Sequence, residues 1–232
     1  MKTLRVKFKK CNELKYISHL DLMRLFQRAF RRANIPVKYS EGYNPHPKFS
    51  FATALAVGVS SDGEYMDVEL IKDINPDVFI DKMNQVLPEG IKILKAKYTN
   101  SKKSLMALLR WSTYVIELNF ESITKEKMQS IIDDILSKEE ILITKTKKKR
   151  KKVITREVDI RPNIKDISIL ILKENKAIIK TTLRTGSAGN LKPEVLVEQI
   201  KNKENVELID DETKIQRLDL FIEKNGEIVT PV

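Results

Sequence analysis

Cysteine and histidine are scarce in this chain of 232 residues. Cys11 is the single cysteine, which excludes an internal disulfide, a cysteine-rich zinc site and the three-cysteine cradle of an iron–sulfur cluster. The two histidines, His19 and His46, leave little for a histidine-based metal site. We therefore expect no metal and no cofactor, and we assign any redox or radical chemistry to another chain.

Long apolar runs are also missing. No stretch reaches the roughly 18 apolar residues that a membrane-spanning helix needs. The N-terminal residues, MKTLRVKFKK, lack the apolar core of a signal peptide and alternate as a β-strand does. The sequence therefore predicts a cytoplasmic protein without membrane contact.

Positive charge is concentrated in two zones. The net charge of the chain is +11, yet residues 1–50 carry a net +9 and residues 145–161 a net +7, so the remainder is acidic by about five charges. Two basic zones on an otherwise acidic chain indicate a polyanionic partner, and we favour RNA. The alternative is that lysine merely covers solvated surfaces.

The hydrophobic pattern of the first half predicts a strand at 3–9 and a helix from Ser18 to Asn34, which Ser18 caps and Asp21 supports from the third helical position. The expected buried face of this helix comprises Leu22, Phe26, Ala29, Phe30 and Ala33. Further predicted elements are strands at 50–58 and 64–71 joined by a Ser-Asp-Gly turn, a helix at 75–86 and a strand at 91–98. This order is that of a ferredoxin-like, or split βαβ, unit.

The second half follows a looser version of the same pattern. Its predicted strands are 111–120, 140–146, 153–160, 167–173, 176–184 and 214–223, and its helices are 124–136 and 192–202. Because the βαβαβ alternation of an α/β fold is absent, we predict an α+β fold of two tandem ferredoxin-like units with antiparallel sheets. The predicted domains are 1–98 and 110–232, with a linker at 99–109 and a basic hairpin tip on the second domain.

The segment from Tyr16 to Arg32 contains the first candidate site. Helical spacing places Arg24, Arg28 and Arg31 on one stripe, with Asp21 at its N-terminal end. Guanidinium groups bind phosphate oxygens in pairs, so this stripe predicts contact with an RNA backbone. The alternative is a solvated helix face on which Asp21 and Arg24 form an ion pair.

His19 is a candidate general base or base-edge contact. A neutral imidazole beside Asp21, Tyr16 and Tyr39 has the hydrogen-bonding capacity for either role. The alternative is a structural hydrogen bond, which is the commoner use of a single histidine.

The loop from Tyr39 to Lys48 is rich in aromatic residues and proline. Loops of this length within compact domains are usually functional. Tyr39, Tyr43 and His46 are candidates for stacking on unpaired bases, and Lys48 for a phosphate contact. The alternative is that the aromatic side chains anchor the loop over the core.

A dense basic run joins two predicted strands of the second half. Seven of the eight residues from Lys145 to Lys152 are basic, and we expect them to form a mobile hairpin tip. Such a patch attracts nucleic acid in a salt-sensitive manner that is blind to sequence. The candidate phosphate-binding residues are Lys147, Lys148, Lys149, Arg150, Lys151 and Lys152.

Three polar residues at strand ends complete the set: Arg161, Arg184 and Ser187. The segment around Arg184 and Ser187 precedes a predicted helix, so its small residues form either an anion-binding nest or a plain turn. It has neither the Lys-Ser/Thr of a nucleotide P-loop nor the strand–GxGxxG–helix context of a dinucleotide site.

Several motifs together resemble the bacterial radical-SAM-linked protein family. They are YISHLDLMR at 16–24, RAFRRA at 28–33, IP at 35–36, YSEGYNPHP at 39–47, FA at 51–52, DIRP at 159–162 and LRTGS at 183–187. The resemblance covers the whole chain, departing only in Tyr43 where Phe is common. It implies a protein that works with a cobalamin-binding-type radical SAM protein, which would hold the iron–sulfur cluster, and it implies no assigned reaction.

Three hypotheses follow for the function. The first is an RNA-binding accessory protein that presents tRNA or rRNA to a radical SAM modification enzyme and has no catalytic activity of its own. The second is a protein adaptor whose basic zones dock on the radical SAM partner. The third, an analogy from the predicted fold, is a metal-independent endoribonuclease with His19 as its general base.

Overall fold

The computed structural model describes residues 3–101, 103–149, 152–204, 206–209 and 213–232, with the backbone alone for residues 147–149 and 152–154. The chain forms an α+β fold with mostly antiparallel strands and divides into two compact units. The first comprises Met1–Ser112, Gly186–Ala188 and Gln216–Val232, and the second comprises Thr113–Thr185 and Gly189–Ile215. The segment Gln216–Val232 therefore packs with the first unit, whereas we had predicted it in the second.

The first unit contains an antiparallel sheet with two main helices. Its elements are β1 (Thr3–Lys10), α1 (His19–Arg32), β2 (Phe49–Phe51), β3 (Ser60–Glu69), α2 (Pro76–Val86), β4 (Ile91–Thr99) and α3 (Leu105–Leu108). β5 (Leu109–Asn119) begins in this unit, and β10 (Lys214–Lys224) and β11 (Glu227–Val229) complete it. The strand β1 lies between β4 and β3, and both β2 and β10 pair with the other edge of β3. Only the short β10–β3 contact among these is parallel.

Helix α1 confirms its prediction. The Ser18 hydroxyl accepts a hydrogen bond from the Asp21 backbone N–H, which satisfies one of the free amides of the first turn. All five residues expected on its buried face are buried. They pack on the alternate residues Leu4, Val6 and Phe8 of β1, with the Phe8 and Phe26 rings edge to face at 5.1 Å.

The predicted strand at 50–58 and the Ser-Asp-Gly turn are wrong. The strand β2 ends at Phe51, and Asp62 and Gly63 lie inside β3. A Cβ atom on Gly63 would lie 2.7 Å from the Cα atom of Asp219 in β10. Glycine is therefore needed here because a neighbouring backbone approaches closely, and the dipeptide does not mark a reversal of the chain.

The second unit packs two helices on a three-stranded sheet and also contains a separate hairpin. Its elements are the rest of β5, α4 (Lys125–Ser137), β6 (Leu142–Lys149), β7 (Lys152–Asp159), β8 (Ile164–Lys173), β9 (Lys176–Arg184) and α5 (Pro193–Lys201). The strand β9 lies between β5 and β8, while β6 and β7 pair with each other and with no other strand among the described residues. Its core includes Ile116 and Leu118 of β5, Ile132 of α4 and Leu196 of α5.

Within the described part of the chain, no helix combines the length and the apolar character needed to cross a bilayer. A short helix, α3, occupies the end of the predicted linker at 99–109, where Leu105 is buried.

Candidate nucleic-acid interface

The arginine stripe of α1 lies on the exposed side of the helix. Arg24, Arg28 and Arg31 are all exposed, and the Arg24 Nη1 atom lies 3.2 Å from the Asp21 Oδ1 atom. Neither Arg28 nor Arg31 forms an ion pair with any side chain that the structure describes. The Arg32 guanidinium is used structurally, since its Nη2 atom donates to the Val86 carbonyl at 2.7 Å. Two free cations one helical turn apart therefore remain for an anionic partner.

His19 and Asp21, which we predicted in one pocket, make different contacts in the first turn of α1. Asp21 accepts a hydrogen bond from the Ser18 hydroxyl at 2.7 Å, and this bond, followed by Arg24, holds the pKa of the exposed Asp21 carboxyl below its ordinary value. The His19 ring instead packs edge to face on Phe51, with the centroids 5.4 Å apart. No hydrogen bond joins His19 to Asp21, Tyr16 or Tyr39 in the described structure.

The loop from Tyr39 to Lys48 is closed at its base by backbone hydrogen bonds. The Ser40 N–H donates to the His46 carbonyl at 2.8 Å, and the Lys48 N–H donates to the Lys38 carbonyl at 2.7 Å. Tyr43 is exposed at the tip and His46 is exposed where the loop closes, whereas Tyr39 is half-buried at the base, where it bridges to Pro47. The tip is thus an exposed aromatic surface on a fixed base.

Tyr16 and Lys48 lie apart from this tip. Tyr16 is exposed at the end of a short 3-10 helix, Asn12–Tyr16, and its ring lies 4.9 Å from the Lys15 ammonium group. Lys48 is half-buried in the base of the loop, next to β2.

The basic run lies on the paired strands of the hairpin as well as between them. β6 and β7 pair in register from Leu142 opposite Asp159 to Lys149 opposite Lys152. The strands therefore contain Lys147, Lys148, Lys149 and Lys152, whereas Arg150 and Lys151 lie outside the described residues. Lys145 and Arg156 face each other across the hairpin, and both are exposed. The basic residues fall within the five pairs from Lys145 opposite Arg156 to Lys149 opposite Lys152, and at about 3.3 Å per residue these pairs give a basic ribbon roughly 15 Å long.

The base of the hairpin is held by a network around Asp159 and Arg161. The Asp159 Oδ1 atom accepts hydrogen bonds from the backbone N–H groups of Ile141 and Arg161, each at 2.9 Å. The Arg161 guanidinium donates to three backbone carbonyls, those of Leu136, Lys138 and Ile164. Arg161 therefore joins the end of α4 to the start of β8 and fixes where the ribbon begins. We assign it this structural role.

Arg184 and Ser187, the two other candidates of the second half, belong to different compact units. Arg184 is half-buried at the end of β9 and packs against Gly189 in the second unit. Ser187 is exposed and belongs to the first unit. Gly186 beside it has a φ of +107°, and a Cβ atom there would lie 2.6 Å from the Leu109 carbonyl oxygen, so this segment makes a tight turn that requires glycine.

The first basic zone is partly neutralised within the fold, which the sequence did not indicate. Arg5 binds both carboxylate oxygens of Asp67, at 2.8 and 2.9 Å. The Lys7 Nζ atom lies 2.6 Å from an Asp219 oxygen. The Lys10 ammonium is buried and donates to the Ile17 carbonyl at 3.0 Å, and this burial lowers its pKa. Three of the cations counted in residues 1–50 are therefore not available to a partner.

Two further buried polar groups flank these pairs. Glu64 of β3 accepts a hydrogen bond from Arg217 of β10 at 2.8 Å, and both side chains are almost fully buried. The Tyr65 hydroxyl donates to the second oxygen of Asp219 at 2.6 Å, so burial, followed by this carboxylate, raises the pKa of Tyr65 well above its ordinary value. The polar side chains of β1 and β3 are thus paired with acidic side chains of β3 and β10. Only the alternation of charged and apolar residues in β1 hinted at it.

Chains with a similar fold occur in two solved structures of multi-component complexes. A chain in the crystal structure of a Cbf5-Nop10-Gar1 complex matches with a TM-score of 0.51 and 9% identity, over 92% of this chain and 47% of that one. A chain in the structure of an H/ACA RNP bound to a substrate RNA containing 2'-deoxyuridine matches with a TM-score of 0.52 and 11% identity, over 96% and 47%. This chain thus spans less than half the length of each, and at such identities the likeness is one of fold alone.

Comparison of the sequence with protein families identifies the family of this chain. Among curated proteins none matches it. A family model described as "Uncharacterized protein conserved in bacteria (DUF2344)" matches residues 3–193. This match spans most of both compact units, and the chain therefore belongs to that family of bacterial proteins.

Proposed function

We propose that this chain is an RNA-binding protein whose main contact is the basic hairpin β6–β7. The observation that carries the proposal is the separation of the hairpin from the main sheet: its lysine-rich strands pair only with each other and stand on an anchored base. Cations on a two-stranded ribbon neutralise phosphates without reading sequence. The exposed Arg28 and Arg31 provide a second contact zone.

The two basic zones differ in how many of their cations are already bound within the fold, and this difference supports the assignment. In the first zone Arg5, Lys7 and Lys10 are used inside the fold. On the hairpin, Lys145 and Arg156 are exposed and face no acidic partner among the side chains that the structure describes. We therefore expect the hairpin to contribute more phosphate contacts than α1. The RNA in one of the similar solved structures agrees with the proposal and does not carry it.

Fluorescence anisotropy with bulk tRNA over a salt series tests the proposal. Binding should weaken linearly on a log–log plot, with a slope of roughly 0.7–0.9 for each phosphate neutralised. Replacing Lys147, Lys148 and Lys149 with alanine should reduce that slope by roughly 2–3. Replacing the exposed Lys82, Lys92 and Lys125 removes the same charge elsewhere and is the matched control. Equal losses for the two triple variants, or no binding at low salt, would refute the hairpin assignment.

The partner and the process are a narrower part of the proposal. We infer that the RNA is tRNA or rRNA presented to a radical SAM modification enzyme, and this inference depends on the family resemblance alone. Co-expression with a radical SAM protein encoded beside this chain tests it. Co-elution that nuclease abolishes supports presentation of RNA, whereas co-elution that survives nuclease supports the protein adaptor instead.

We also assign the first unit to the ferredoxin-like fold. The order β4-β1-β3-β2, antiparallel at each step and with α1 and α2 as the crossovers, supports this assignment. For the second unit the ferredoxin-like fold stays a prediction.

A further inference from the structure

The strand β8 forms an edge of the sheet in the second unit. It pairs with β9 on one side, and no strand in the described part of the chain pairs with the other side. Two apolar residues near its middle are half exposed, Leu170 at 51% and Ile171 at 54%. A long edge with exposed apolar residues is a template for another strand.

Charges of opposite sign lie at the two ends of this strand. Asp166 lies near its start, and Lys173 is its last residue. In an antiparallel pairing of two copies of β8, with the twofold axis between Ile169 and Leu170, Asp166 lies opposite Lys173 of the second copy. This contact occurs twice by symmetry.

A β-bulge makes this register geometrically consistent. Positions 166 and 173 are an odd number of residues apart, so in a regular strand their side chains would point to opposite faces. The bulge at Leu170 shifts the register, because Ile169 is opposite Ile179 and Ile171 is opposite Ile178. Asp166 and Lys173 therefore pair with Thr182 and Lys176 of β9, which share one face.

The backbone of β8 fits the same register. Lys173 and Lys176 close a two-residue turn, a position at which the two residues hydrogen-bond to each other. By alternation on either side of the bulge, Ile167, Ile169 and Leu172 direct their N–H and C=O groups to the open edge. Ile167 lies opposite Leu172 of the second copy in the proposed pairing, so donors and acceptors meet.

We propose that this chain self-associates through antiparallel pairing of β8 with β8 of a second copy. Bulges and edge charges generally restrict indiscriminate pairing of sheet edges. Here they select one register, because any other alignment loses both symmetry-related contacts between Asp166 and Lys173. The inference is independent of RNA binding, and a dimer presents two basic hairpins to one nucleic acid.

Sedimentation velocity of the nuclease-treated full chain over a wide dilution series tests the proposal. The wild type should show a reversible monomer–dimer equilibrium. Asp166→Lys places like charges opposite each other twice and should weaken the dimer about tenfold or more. Asp133→Lys makes the same charge change at an exposed position on α4 and should leave the dimer unchanged.

Charge exchange gives the decisive result. Lys173→Asp alone should weaken self-association as Asp166→Lys does, and an equimolar mixture of these two variants should restore a dimer because both contacts become attractive between unlike chains. The double variant Asp166→Lys/Lys173→Asp should also dimerise. A wild type that stays monomeric, a dimer insensitive to Asp166→Lys, or a mixture that fails to associate would each overturn the proposal.

Discussion

The buried ion pair between Glu64 and Arg217 allows a quantitative test of the first unit. The two groups are 2.8 Å apart, and their side chains are only 5% and 6% exposed. At an effective dielectric constant of about 20, the attraction at this distance is about 6 kcal/mol. Removing two ions from water costs several kcal/mol each, so the net contribution of the intact pair is small.

Breaking the pair from one side has a much larger effect. Glu64→Gln or Arg217→Met leaves a buried charge without the counterion of this pair, and each should lower the free energy of unfolding by about 3–5 kcal/mol. The double variant removes both charges and should lie within about 1 kcal/mol of the wild type. The two single losses should therefore exceed the double loss by at least about 3 kcal/mol.

The single tryptophan makes this measurement specific. Trp111 belongs to the first unit, so its fluorescence during urea unfolding follows that unit, while far-ultraviolet circular dichroism follows both. Arg24→Met is the control, because Arg24 forms its ion pair with Asp21 at an exposed site of the same unit, and its loss should leave the urea midpoint nearly unchanged. Single losses that add to the double loss would refute the reasoning.

Four residues provide further tests. Gly63→Ala should destabilise the first unit by about 1–3 kcal/mol, because the added methyl group meets the β10 backbone, and an unchanged urea midpoint would contradict the close approach. The raised pKa of Tyr65 gives a contribution to stability that is present below its ordinary pKa of 10.0 and lost as the pH rises above that value, so Tyr65→Phe should flatten the alkaline loss seen in urea midpoints. Arg161→Met should cost the second unit about 2–3 kcal/mol by circular dichroism, since three carbonyls lose a charged donor; a loss under about 0.5 kcal/mol would argue against the anchor. RNA incubated with the wild type or with His19→Ala should stay intact, because the His19 ring packs on Phe51. Cleavage by the wild type alone would instead support the endoribonuclease hypothesis.

Local signals in the sequence were sufficient for the longer helices. Ser18 and Asp21 mark the start of α1, and the spacing of Leu22 and Phe26 identifies its buried face, because capping and helical periodicity depend on neighbours in the chain. Gly63 was misread because a turn and a close strand contact both favour glycine. Only the distant Asp219 distinguishes between them.

The candidate site was likewise predictable only where neighbouring residues in the sequence form a pattern. The run from Lys145 to Lys152 predicted a basic hairpin, but not the extension of the strand β6 into the run as far as Lys149, since lysine is a weak strand former. The partners of Arg5 and Lys7 could not be found from the sequence. Asp219 is 212 residues away from Lys7, and one acid among many at that distance gives no pattern.

That separation has a consequence for how the protein is made. Lys7 and Glu64 leave the ribosome long before Asp219 and Arg217 do, because the whole second unit is synthesised in between. Until then, the edge of β3 that receives β10 lacks its partner strand, and the charges beside it lack their counterions. Domains usually fold in the order of their synthesis. The first unit of this chain, however, is completed only after the second unit has been synthesised. We expect the nascent chain to depend on chaperones during this interval, because the first unit stays open until β10 has been synthesised.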